Sequence, residues 1–111
     1  MNISALIDQY HSGSAKLRSA VAGMSGEQLA ARPVAGKWST LEVLCHIADF
    51  EPVYADRMKR VIAEENPLLL PGDPDLFQAR LAYSSRDASE ELTLIETVRG
   101  QMARILRTLA E

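Results

Sequence analysis

The sequence predicts an all-α fold, an up-and-down bundle of three long helices and two short ones. Three observations carry that expectation. Apolar residues recur at spacings of three, four and seven through most of the chain, which places them along single helical faces. No useful length alternates with the period of two that a half-buried strand needs. Four of the five periodic stretches also open on a capping residue.

The elements follow in order. Ile3, Leu6, Ile7, Tyr10, Leu17, Val21 and Met24 form one stripe, with Asn2 as the cap and Gly23 as the natural stop. Ser25 with Gln28 makes a capping box over a short helix from Glu27 to Ala31, and Arg32-Pro33 ends it. Val34 to Lys37 reads as a loop. Ser39 and Glu42 make a second capping box, opening the longest pattern, about Thr40 to Glu65. Leu41, Leu44, Ala48, Ala55 and Ile62 form one apolar line there. Val43, Ile47, Phe50, Tyr54, Met58 and Val61 form another beside it. So wide an apolar face predicts a central helix contacted on more than one side, with a kink or a local break at Pro52. Asn66 to Asp75 holds three prolines and a glycine and reads as a connection. Asp73-Pro74 starts a second short helix, to about Tyr83, and Ser84 to Asp87 is a turn. Leu92, Ile95, Val98, Met102, Ile105, Leu106 and Leu109 then give a last helix from about Ala88 to the end.

Composition narrows the function classes. A chain of 111 residues is long enough for one core. With 47% hydrophobic and 24% charged residues it is an ordinary globular composition, not a disordered one. Twelve basic against fifteen acidic side chains leave a net charge of −3, and no basic face or tail stands out. Binding to nucleic acid or anionic lipid by counterion release is therefore not expected. The longest aliphatic run is Leu68 to Leu70, far short of the roughly 20 residues that span a bilayer. Asp8 and His11 interrupt what a signal segment would need to keep apolar. A single cysteine fits a reducing compartment, so the expected location is the cytoplasm.

The most specific stretch is Gly36-Lys-Trp-Ser-Thr-Leu-Glu-Val-Leu-Cys-His-Ile-Ala-Asp49. It resembles the signature of the DinB/YfiT-like superfamily. Met24 to Pro33 is similar to that family's lead-in, and Phe50 to Arg60 to its long-helix continuation. The resemblance implies a four-helix bundle and a metal-dependent enzyme of the kind that works with low-molecular-weight thiols as a transferase or isomerase. Its divalent ion, of the zinc or nickel type, would be held by one histidine after the Trp-Ser turn and by a His-x-x-x-His pair on the closing helix. His46 matches the first position. The pair has no counterpart, since His11 is the only other histidine. By this resemblance residues 1–111 are expected to be one DinB-like domain truncated at the C-terminus, before the helix that bears the pair.

The residues themselves leave alternatives open. A metal ion with an open coordination position needs about three protein ligands. His46 offers one nitrogen, Asp49 lies three residues on along nearly the same face, and Glu42 lies four before but is claimed by its capping box. Glu51 stands roughly 140° around the helix from His46. His46 is thus open to three readings: a half-buried structural histidine, a ligand in a partial or shared site, or an acid–base group. Cys45 reads as a small buried thiol, because adjacent helical residues project about 100° apart and cannot pair. His11 reads as a surface or boundary histidine. Trp38 is either a staple packing near Val43 or a wall of a ligand pocket.

Arg99 interrupts the apolar stripe between Ile95 and Met102, so its charge must find a partner. Asp49, Glu51 and Asp56 are the candidates, with Arg57 as a second cation nearby. Beyond that ion pair, the resemblance would have Arg99 and Arg57 hold an acidic substrate or thiol cofactor. Two functions follow. One is a metal-dependent enzyme acting on a small molecule. The other is a non-catalytic assembly module, in which the flank left bare by an absent fourth helix is covered by a second copy in a homodimer.

Overall fold

The structure, a computed structural model, describes residues 2–110. The chain runs through α1 (Ile3–Val21), α2 (Gly26–Ala30), α3 (Thr40–Ala63), α4 (Pro74–Arg80), a single 3₁₀ turn at Tyr83–Ser85, and α5 (Ala88–Leu109). Among the described residues there is no strand, so the all-α expectation of three long and two short helices holds.

The caps are where local chemistry places them. The Asn2 side chain accepts from the Ala5 amide, and Ser25 with Gln28 and Ser39 with Glu42 both close reciprocal capping boxes. Asp73 accepts from the amides of Asp75 and Leu76 with Pro74 just inside the helix, and Asp87 accepts from Glu90. Gly23, at φ +81°, follows the end of α1 in a conformation that a side chain would resist.

Three expectations change. There is no local break at Pro52: α3 runs on through it, with Pro52 on the exposed side of the helix. α4 ends at Arg80 rather than near Tyr83, because Ala82 turns left-handed at φ +55° and starts a separate turn. α5, not α3, is the middle long helix: α1 and α3 each pack along α5 and scarcely meet each other. The connections 22–39 and 64–87 are long, so neither forces the helices it joins to be neighbours as a short bundle loop does. α3 carries the smaller elements, with α2, α4 and the 3₁₀ turn all packed on it.

The core follows the first apolar line of α3 and the stripe of α5. Leu41, Leu44, Cys45, Ala48 and Ala55 are buried, as are Leu92, Ile95, Met102 and Ala103. The second line of α3 is mostly uncovered: of its six members only Phe50 is buried, while Tyr54 is 54% and Val61 60% exposed. Early α1 behaves likewise, with Ile7 buried but Ile3 and Leu6 exposed. Among the described residues, no helix is long and apolar enough to cross a membrane.

Candidate functional site

Because α5 separates α1 from α3, a cleft opens over α5 between the two outer helices. Tyr10 of α1, Arg99 of α5, and His46, Ile47, Phe50, Glu51 and Tyr54 of α3 line a cavity there of about 260 Å³.

The floor is an ion pair. Arg99 donates from Nη2 to Glu51 Oε1 at 2.6 Å and from Nε to the same oxygen at 2.8 Å. Its Nη1 donates to the Tyr10 carbonyl at 3.0 Å, and the guanidinium carbon lies 5.1 Å from the Tyr10 ring centroid. Of the acids open to Arg99 on sequence grounds, Glu51 is therefore the partner. Room for the fork comes from Gly13, where a Cβ would stand 2.5 Å from Arg99 Nη1. Burial pushes the Tyr10 phenol's pKa up, the Glu51 carboxylate pushes it further, and Arg99 pulls partly back. The Tyr10 hydroxyl is buried with no hydrogen-bond partner.

His46 stands one turn before Phe50 on the wall of the cleft. Its ring lies 4.9 Å from that of Phe50 and 5.4 Å, edge-on, from that of Trp38. Nδ1 is buried and makes no hydrogen bond. A buried polar atom without a partner is uncommon, because losing its water costs about 1–3 kcal/mol. The cleft thus gathers an uncommitted imidazole nitrogen, an uncommitted phenol and a paired carboxylate.

The other candidates lie elsewhere. Trp38 finds His46 and Tyr83 (6.4 Å) as its aromatic partners, and Val43, the expected staple contact, stays 41% exposed. Asp49 does not line the cleft: both its oxygens accept from Arg86, at 2.6 and 3.0 Å, on the side of α3 facing the 3₁₀ turn. Arg57 does not join Arg99 as a second cation. It stacks over Tyr54 and donates to the Leu70 carbonyl at 2.8 Å. The six-residue step from Glu51 to Arg57 carries it roughly 9 Å along the helix, past the end of the cleft. Glu42 is held by Arg32, by the Gln78 amide at 2.6 Å and by the Ser39 amide at 3.0 Å. Cys45 is fully buried, with its thiol directed at the Tyr83 carbonyl at 3.6 Å.

Arg86 carries a network that the sequence left inside a turn. Its guanidinium bridges Asp49 and Glu91 and lies over the Tyr83 ring at 5.1 Å. Its two acids lie 37 residues back and 5 ahead, and only folding brings them together.

Donor count decides what the cleft can hold unaided. Among the described residues no three His, Cys, Asp or Glu side chains come together. Glu51 is engaged by Arg99 and Asp49 by Arg86, so His46 remains as a single imidazole where about three ligands are needed. The residues of this chain therefore do not by themselves fit a transition-metal centre.

A family model described as the DinB superfamily matches residues 9–111. The chain is 31% identical over 97 residues to YfiT of Bacillus subtilis (strain 168), covering 87% of this chain and 54% of the relative. It is likewise 31% identical over 94 residues to a protein of Oceanobacillus iheyensis, covering 85% and 54%. Both are named as candidate metal-dependent hydrolases. The solved structure of B. subtilis YfiT, described as a probable metal-dependent hydrolase with an unusual four-helix bundle topology, superposes with a TM-score of 0.88 at 28% identity. That match covers 96% of this chain and 61% of the other. The chain spans about half the length of the curated relatives it matches.

Proposed function

This chain belongs to the DinB superfamily, and from that premise we propose that it supplies the His46-bearing part of a DinB-type site, completed on association with a second copy as a homodimer. The observation that carries this reading is the His46 imidazole, its Nδ1 buried and unpartnered, on the wall of a cleft that one chain leaves open. A second copy laid over that cleft would bring a second His46 toward the first. It would also cover Tyr54, Val61 and Ile62, which are apolar and at least 41% exposed.

On this reading the divalent ion that the relatives' names imply, of the zinc or nickel type, is held jointly and not by one chain. The Arg99–Glu51 pair keeps the floor rigid and charged. The cleft takes a small molecule, and hydrolysis is the reaction class its relatives are named for, with thiol-dependent transfer or isomerisation the other chemistry in view. The site lies on a protein of the cytoplasm, away from nucleic acid and membranes.

Size-exclusion chromatography with light scattering, combined with metal analysis of protein made without a histidine tag, tests the reading. A species with the mass of two chains, carrying at least half an equivalent or so of zinc or nickel that is lost in His46→Ala, is expected. A stable monomer overturns it. A dimer holding less than about a tenth of an equivalent, after growth with both metals, supports the second reading instead: a non-catalytic assembly module. The exposed second apolar line of α3 favours that reading independently of any metal.

A further inference from the structure

We propose that a second cleft, divided from the His46 cleft by the Phe50 ring, binds an amphipathic monocarboxylate, its head on Arg57 and its apolar tail along the Leu68–Phe77 segment. The cleft measures about 520 Å³, within the range of small-molecule pockets. Its apolar wall is made by Pro52, Val53, Leu68, Leu70, Pro71 and Phe77. Leu68 and Leu70 are 79% and 71% exposed, so each gains from an apolar group laid against it. The segment is anchored from below. Gly72 lies so close to Phe50 that a Cβ there would come within 2.9 Å of its ring, and the Arg57 Nη2 bond to the Leu70 carbonyl ties the other side.

Charge selects the head group. Two cations and one acid line the cleft. Arg60 is committed to Asp56 at 2.9 Å and to Glu64 at 3.0 Å. Arg57 has no carboxylate partner among the described residues, and its buried Nε has no hydrogen-bond partner at all. One guanidinium with unspent donors beside an apolar wall matches a carboxylate, which takes two parallel N–H bonds from such a fork. Asp56 nearby disfavours a dianion such as a phosphate monoester.

Titration of the 111-residue chain with octanoate, octan-1-ol and butyrate, followed by amide NMR shifts, tests the proposal. Octanoate is expected to shift the amides of Val53, Leu70 and Gly72 without moving Tyr10 or Arg99, which line only the cleft proposed above as the DinB-type site and so separate the two. It should bind tighter than butyrate, by about two- to fourfold per methylene, and tighter than octan-1-ol. Arg57→Gln should weaken octanoate about tenfold or more, while Arg57→Lys, which keeps the charge and loses the fork, should fall between. Octan-1-ol binding as tightly as octanoate, an unchanged affinity in Arg57→Gln, or no shift of these amides up to about 10 mM octanoate each overturns it.

Discussion

Arg99 of α5 spends its whole fork on the two outer helices. Nε and Nη2 meet one oxygen of Glu51 on α3 at 2.8 and 2.6 Å, and Nη1 meets the Tyr10 carbonyl on α1 at 3.0 Å. A single side chain thereby ties together two helices that scarcely touch each other. The Glu51 side chain is only 7% exposed, so removing the cation strands a buried carboxylate. Arg99→Met is expected to cost about 3 kcal/mol in urea unfolding, and the double change Glu51→Leu with Arg99→Met should recover at least half of that. A double variant no more stable than Arg99→Met alone would show that the pair's worth lies in the Tyr10 contact instead.

Gly13 gives the same relationship a second test. Replacing a glycine inside a helix with alanine ordinarily stabilises by about 0.5–1 kcal/mol. Here the new methyl would meet Arg99 Nη1 at 2.5 Å and push the fork off the Tyr10 carbonyl. Gly13→Ala is therefore expected to destabilise the parent chain and to stabilise the Arg99→Met background. The sign reversal between the two backgrounds, read from paired melting curves, is the checkable outcome.

Acid stability should show the Glu42 network. The Arg32 guanidinium, together with the Ser39 and Gln78 donors, holds the Glu42 carboxyl down from its ordinary 4.5 to about 2. A carboxyl whose pKa is lower folded than unfolded stabilises the fold above its unfolded pKa and loses that contribution as protons bind. Unfolding free energy should thus fall as pH drops from about 4.5 to about 2, and Glu42→Gln should flatten that part of the curve. An unchanged slope in the variant would assign the acid loss to other carboxyls.

Cys45 should behave as an inert thiol. Burial pushes its pKa up to about 11, since little around it favours the thiolate. At pH 8 its reaction with an aromatic disulfide reagent is expected to be limited by opening of the fold, and to become fast in denaturant. Fast labelling of the native protein at pH 8 would contradict the burial of this side chain.

Much of this was legible in the residues. Asn2, Ser25, Ser39 and Asp73 cap their helices through bonds made within four residues, so chain-local chemistry decides them. The charge of Arg99 within an apolar stripe demanded a partner, and three candidate acids could be named, but choosing Glu51 over Asp49 and Asp56 took the packed geometry. Asp49 pairs with Arg86, which lies in a turn outside every apolar stripe. Arg57, a second cation near Arg99 in sequence terms, lies roughly 9 Å of helix rise beyond Glu51 and meets Tyr54 and Leu70 instead.

What the sequence determined by itself is the class of fold, the helix starts, the family signature from Gly36 to Asp49 and the lone imidazole in it. These depend on periodicity, capping and motif spacing, which act within a turn or two of helix. What only the tertiary structure decided is that α5 lies between α1 and α3. That placement opens the His46 cleft, seats Arg99 on its floor and leaves the second apolar line of α3 uncovered. The reason is that long connections leave helix order free, so the arrangement is settled by which faces bury the most apolar surface together, a sum over contacts far apart in the chain.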